Sequence, residues 1–364
     1  MSSRIGYLDG LRGLAILLVV FYHAFTRWAE MVPTGESLAD VAMFKYGWVG
    51  VQLFFLISGF VILMTLERCQ SFSEYFSRRW LRLFPGMLIC SLLVFFTAEW
   101  FAERPNGLPQ AVDLLPGLTF IEPGWWQSIL DRPVGEIEGT YWSLYVEFKF
   151  YVIAGLLFFW RGAKAVVFGC ALAYVFGTVV LSLEYNYPTP VWQGLADIVT
   201  ALSFKHFGWF AAGAAFYLFF KNWDWRWYGV GVLFAAVCAV MVRHLSAGPA
   251  LAAVLVSALF AASLILPRVQ QWLQNPVLLL LGFVSYPLYL FHESTLIASL
   301  VKLGSLGLPL PAWFLPLPVI ALQVLVAYLI ARYGERLLTR WLKTGVTGMG
   351  LLPARPTGAQ QRKV

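Results

Sequence analysis

The sequence predicts an all-α polytopic membrane protein, a bundle of about ten transmembrane helices with both termini cytoplasmic. Three observations carry this expectation. Of 364 residues, 60% are hydrophobic and only 12% charged, about half the charged share of a soluble chain, so most of the surface has to face lipid. The apolar residues gather into runs of about 20, the length at which a helix satisfies its own backbone across hydrocarbon. Lys and Arg are also distributed unevenly between alternate connections, as the positive-inside rule requires. The same composition excludes a disordered chain, a collagen-like repeat and a disulfide scaffold.

The first run, 8–29, contains Arg12 and His23 and lacks the charge-free core and small-residue cleavage site of a signal peptide, so it is expected to remain as a helix. Arg12 and His23 are eleven residues apart, which is about 20° of rotation and about 16 Å of rise. They therefore share one face. The second run, 46–66, holds Phe54-Phe55-Leu56-Ile57-Ser58-Gly59-Phe60 at its centre; the small pair suits close helix packing or a backbone open to a narrow ligand passage. Arg78, Arg79 and Arg82 lead into the third run, 83–101, with Pro85 just after. Guanidinium groups so placed anchor on lipid phosphate or grip a phosphorylated cofactor.

The long connection 101–139 carries Glu103, Asp113, Glu122, Asp131, Glu136 and Glu138 among several Pro, Gly and Trp residues. Rings and carboxylates suit a glycan, and Trp also serves as an interfacial anchor. The fourth run, 140–160, brings Glu147 inward to about 10 Å below the outer surface, close to the roughly 9 Å that the same arithmetic gives His23. Runs 165–183, 204–220, 228–243 and 249–266 follow with few charges. The ninth, 277–300, places His292 at about 12 Å, so three segments deliver titratable groups to one layer. Glu293 follows directly. Taken singly, each also reads as structural: a histidine as helix-helix glue, Glu147 as an ion pair with Lys149. The tenth run is 313–331. The transmembrane domain is expected to occupy 1–343 and a flexible basic cytoplasmic tail 344–364.

With a cytoplasmic N-terminus, 17 of the 26 Lys and Arg residues fall on the inner side, 7 on the outer, and Arg12 and Lys149 within spans. The excess over 19 acidic residues thus sets orientation, and its spread between apolar runs argues against nucleic acid. Cys69, Cys90, Cys170 and Cys238 are not placed for an extracellular bridge and are expected reduced. The histidines are too scattered to show metal-ligand spacing.

Asp9-Gly10-Leu11-Arg12-Gly13-Leu14-Ala15 followed by His23, Phe54-Phe55-x-x-Ser58-Gly59, Arg79-x-x-Arg82, Trp142-Ser143-Leu144-x-x-Glu147 and Ser285-Tyr286-x-x-Tyr289-Leu290-x-His292 together resemble the membrane acyltransferase-3 family. That family includes bacterial O-antigen and exopolysaccharide O-acetyltransferases. Five motifs in order, over residues 4–340, make the match specific. The resemblance implies an enzyme of the bacterial inner membrane that moves an acyl group, by default acetyl, from cytoplasmic acetyl-CoA to a hydroxyl of an extracytoplasmic or lipid-linked glycan. It also implies functional roles for Arg12, His23, Ser58, Arg79, Arg82 and Glu147. Glu293 stands where relatives often have Pro, and the late Glu-x-Pro pattern reads Glu335-Arg336-Leu337. The extracytoplasmic hydrolase-like domain of some relatives is not found in these residues, so any partner that supplies that step is expected to be encoded elsewhere.

The expected mechanism has Arg79 and Arg82, with Arg12, holding the phosphates of acetyl-CoA while its pantetheine arm runs past Ser58. His23 then acts as general base or acyl carrier, with Glu147 orienting the imidazole. Trp142, Tyr145 and His292 are the expected acceptor contacts. A proton-coupled transporter or a glycan flippase also uses buried His and Glu, but no inverted repeat is visible here. An inactive scaffold would place no demand on His23.

Overall fold

A computed structural model describes residues 5–32, 38–242, 247–307, 309–348 and 351, and every regular element among them is helical. Helix α1 (Gly6–Tyr22) runs into a π-helical turn, His23–Arg27. Then come α2 (Gly50–Leu66), α3 (Phe72–Thr97), α4 (Trp142–Arg161), α5 (Ala163–Asn186) and α6 (Pro190–Ala201). The second half comprises α7 (Phe207–Asn222), α8 (Trp225–Met241), α9 (Ala247–Ile265), α10 (Pro276–Ser305), α11 (Pro316–Leu329) and α12 (Glu335–Gly348).

Each of the ten expected spans coincides with a helix, but among the described residues eight are long and apolar enough to cross a membrane. Helices α7 and α8, at 16 and 17 residues, fall short of that length. Every residue of α7 from Phe207 to Phe219 is buried. A helix apolar all round and enclosed by its neighbours need not match the lipid thickness.

Two other boundaries differ from expectation. Helix α3 begins at Phe72 rather than near 83, because Ser71 caps it by accepting the Glu74 N–H at 3.2 Å. Arg78, Arg79 and Arg82 therefore lie inside a helix, and their directions are fixed by its rotation. At the other end α12 continues to Gly348, past the expected limit of 343, while 352–364 lie outside the described residues.

Helix α1 packs against α10 and α2, α2 against α7, and α10 against α3 and α11. Glycine makes the first of these crossings possible. A Cβ on Gly13 would lie 2.1 Å from Leu278 O, and one on Gly282 would lie 2.0 Å from Asp9 O. The α2–α7 crossing is built the same way, with Gly59 against Phe210 O at 2.2 Å and Gly213 against Leu56 O at 2.1 Å. Gly59 thus serves packing, whereas its neighbour Ser58 faces a cavity.

The connection 102–138 is folded over one end of α10. Asp113 accepts the N–H of Gln110 at 2.7 Å and of Gly135 at 2.6 Å. Arg104 donates to Ile137 O and, at 3.1 Å, to Ser294 Oγ, and Lys149 pairs with Glu122. All four cysteines are free and buried.

Candidate active site

Three cavities follow one another through the core. The largest, about 1000 Å³, lies at the Arg12 end of α1. Arg12, Arg78 and Arg82 line one side and Arg336, Arg340 and Lys343 of α12 another, with Arg68 between α2 and α3. An inner cavity of about 220 Å³ shares Arg12, Val61 and Arg82 with it. A third, of about 540 Å³, holds His23 and shares Tyr289 with the inner one. Tyr289 is the partition, held by a 2.7 Å hydrogen bond between its hydroxyl and Ser143 Oγ.

The inner cavity belongs to Glu147. Ser58 Oγ and, at 2.5 Å, the Tyr151 hydroxyl donate to Glu147 Oε1, and Arg79 donates to the Tyr151 hydroxyl at 2.7 Å. The Arg79 guanidinium also stacks 4.6 Å from the Tyr151 ring centroid. Ser143, Glu147 and Tyr151 are spaced i, i+4, i+8, so one face of α4 supplies all three. Tyr145 is about 200° round the helix from Ser143, is buried, and lines none of the three cavities. Arg79 and Arg82, grouped in the sequence, differ here: Arg79 lines only the inner cavity, while Arg82 lines both cavities at their neck and faces Glu335 at 3.7 Å.

His23 and His292, expected in one layer, lie side by side, with ring centroids 4.9 Å apart. The π turn starts at His23 and carries the following residues round α1, a distortion that often marks functional positions. His292 Nδ1 lies 3.1 Å from both Leu288 O and Tyr289 O, so it carries the proton and leaves Nε2 as an acceptor. His292 Nε2 is 3.2 Å from His23 Nδ1, which is also 2.8 Å from Val19 O. His23 is therefore protonated at Nδ1, and its Nε2 lone pair is left beside the 540 Å³ cavity. His292, expected to touch substrate, is wholly buried behind His23 and lines no part of that cavity.

Glu147, expected beside the imidazole, is replaced there by Glu293. Glu293 Oε1 is 3.5 Å from His23 Nε2 and accepts the Trp28 indole N–H at 3.0 Å. The other Glu293 oxygen is buried without a partner. Trp28, Gln52, Glu136 and His206 also line this cavity and were not singled out as site residues from the sequence; Trp142 was, and its ring lies tilted against His206 with centroids 5.3 Å apart. Beside them, Ser294 N and Oγ donate to Glu138 Oε2 at 3.1 and 3.0 Å. Burial, and then the charge of Glu293, push Glu138 up to about 8 and Glu136 up to about 7. Among the described residues no group of three or more His, Cys, Asp or Glu side chains is placed to hold a metal ion.

The profile of a family described as an acyltransferase domain matches residues 5–332. The chain is 27% identical over 207 residues to the peptidoglycan O-acetyltransferase OatA of Listeria monocytogenes, a match covering 51% of this chain and 30% of that protein. It is 25% identical to a putative acetyltransferase, ORF330, of Acidianus two-tailed virus, over 48% of each chain. With the O-acetyl transferase of Shigella phage Sf6 it shares 24% identity over 64% of this chain and 73% of the phage protein. The matched region thus spans about a third to a half of the first two relatives. No solved structure matches the chain.

Proposed function

This chain belongs to the acyltransferase family whose domain matches residues 5–332, and from that premise we propose that it transfers an acetyl group from cytoplasmic acetyl-CoA to a glycan hydroxyl on the far side of the membrane. The observation that carries this reading is the succession of three cavities, from clustered arginines to an imidazole lone pair. A polyanionic donor fits the first, and the second is narrow enough for an acyl-pantetheine arm. The third offers Tyr22, Trp28, Trp48 and Trp142 rings with Gln52, Asn106 and Glu136 beside them, the mixture that holds a sugar by stacking and hydrogen bonds. A glycan acceptor is also the one that the name of the peptidoglycan relative gives.

In this reading Arg12 and Arg82, at the neck shared by two cavities, take the diphosphate of the donor. Arg79, Tyr151, Glu147 and Ser58 line the passage of the arm. The acceptor hydroxyl attacks the thioester carbonyl beside His23. Its oxygen forms the new C–O bond, its proton moves to His23 Nε2, and the C–S bond breaks. The imidazolium is stabilised by Glu293 and returns the proton to the departing CoA sulfur. The same nitrogen serves as nucleophile if the acetyl group rests on the histidine between donor and acceptor. The lysine and arginine bias supports a cytoplasmic Arg12 end, and the Listeria relative supports a location in a bacterial membrane.

The test uses purified protein in lipid with radiolabelled acetyl-CoA and envelope glycan. Label reaches the glycan with wild type and falls to background with His23→Ala; transfer that survives the substitution overturns the role of His23. For sidedness, Arg332→Cys is labelled by a membrane-impermeant maleimide only from the cytoplasm, and labelling from outside inverts the donor side.

A further inference from the structure

The basic cavity holds more positive charge than the sequence motifs account for. Arg12 pairs with Asp9 at 3.0 Å, Arg78 with Glu74 at 2.5 Å, and Arg82 faces Glu335 at 3.7 Å. Arg68, Arg336, Arg340 and Lys343 line the same cavity and have no ion pair among the described residues. Three of these four come from α12. Positions 336, 340 and 343 follow the i, i+4, i+7 spacing and share one face, while Leu337 and Trp341 are exposed on the other side. Like charges four residues apart on a helix repel one another, and an anion in front of this face relieves that repulsion.

Resting on the donor assignment made above, we propose that Arg336, Arg340 and Lys343 bind the 3′-phosphate of coenzyme A, and that this helix makes the enzyme select CoA thioesters over their 3′-dephospho counterparts. The diphosphate is drawn to the neck at Arg12 and Arg82, because the arm has to enter the inner cavity there. The nucleotide then remains in the 1000 Å³ cavity, whose far wall is α12. The group it presents to that wall is a phosphomonoester, which carries about −1.5 to −2 at neutral pH. Two arginines and a lysine supply the donors that such a dianion takes up.

A phosphate of the same chemistry is also found on lipid headgroups, and the experiment separates the two sources. Transfer is measured for full-length protein in phosphatidylcholine vesicles with acetyl-CoA and with acetyl-dephospho-CoA. Wild type prefers acetyl-CoA by about ten- to a hundredfold in kcat/KM, and Arg336→Gln/Arg340→Gln/Lys343→Gln brings that ratio toward one. The rate with acetyl-dephospho-CoA reports in the same assay that the variant is folded. A triple variant that keeps the wild-type ratio overturns the assignment. So does one that keeps the ratio but loses a stabilisation by added phosphatidylglycerol, which gives the helix to lipid. Wild type that uses acetyl-dephospho-CoA as well as acetyl-CoA also overturns it, with the donor reading intact. Wild type that uses neither removes the donor reading and this inference with it.

Discussion

Glu293 Oε1 stands 3.5 Å from His23 Nε2 and is held by the Trp28 indole at 3.0 Å. A carboxylate so placed stabilises the imidazolium once Nε2 takes a proton. Glu293→Gln keeps the shape and removes the charge. It is expected to lower kcat about 10- to 100-fold with little change in KM for acetyl-CoA. Steady-state kinetics in lipid check this, and an unchanged kcat would falsify the role of Glu293.

How far the site was legible in the sequence follows from what helical arithmetic can and cannot give. Rise per residue fixes depth, so the shared layer of His23 and His292 was readable, as were the helices that carry them, but their direct contact was not. Azimuth is set by packing. Glu147 has the right height but faces Ser58 and Tyr151, and Glu293, one residue past His292, faces His23 instead. Trp28 reaches Glu293 from the residue just beyond the π turn that follows α1, a distortion no hydropathy pattern signals. The separation of Arg79 from Arg82 was hidden because α3 was expected to begin after them.

The α1–α10 contact depends on absent side chains. Gly282→Ala would place a Cβ 2.0 Å from the Asp9 carbonyl oxygen, and neither backbone can yield without moving a core helix. The expected destabilisation is about 1–3 kcal/mol, read as a lower thermal midpoint of the detergent-purified protein. Gly124→Ala is the matched control, since a Cβ there meets nothing within 4 Å. Equal midpoints for the two variants would contradict close packing at Gly282.

Tyr151 links Arg79 to Glu147 by donating to the carboxylate at 2.5 Å while accepting from the guanidinium at 2.7 Å. Tyr151→Phe removes both hydrogen bonds and leaves the ring for Arg79 to stack on. If these residues line the passage of the donor arm, KM for acetyl-CoA rises about tenfold with a smaller change in kcat. A loss confined to kcat, with KM held, would place the trio at the chemical step instead.

The carboxyls of Glu136 and Glu138 make stability depend on pH in a direction opposite to that of an ordinary surface carboxylate. Burial, then the charge of Glu293, raises them to about 7 and about 8, against a usual value of 4.5. Between that usual value and the raised ones, the folded protein keeps protons that the unfolded chain has released. Their contribution is therefore fully present below pH 4.5 and is lost as pH rises through about 7 and 8. Glu138→Gln mimics the protonated form and keeps the oxygen that accepts from Ser294 N and Oγ. Thermal midpoints of wild type should fall between pH 5 and pH 9 by more than those of the variant, each pH compared in the same detergent. Parallel curves for the two proteins would mean that Glu138 is ionised throughout, and that Arg104, which donates to the neighbouring Ser294 Oγ at 3.1 Å, outweighs its burial.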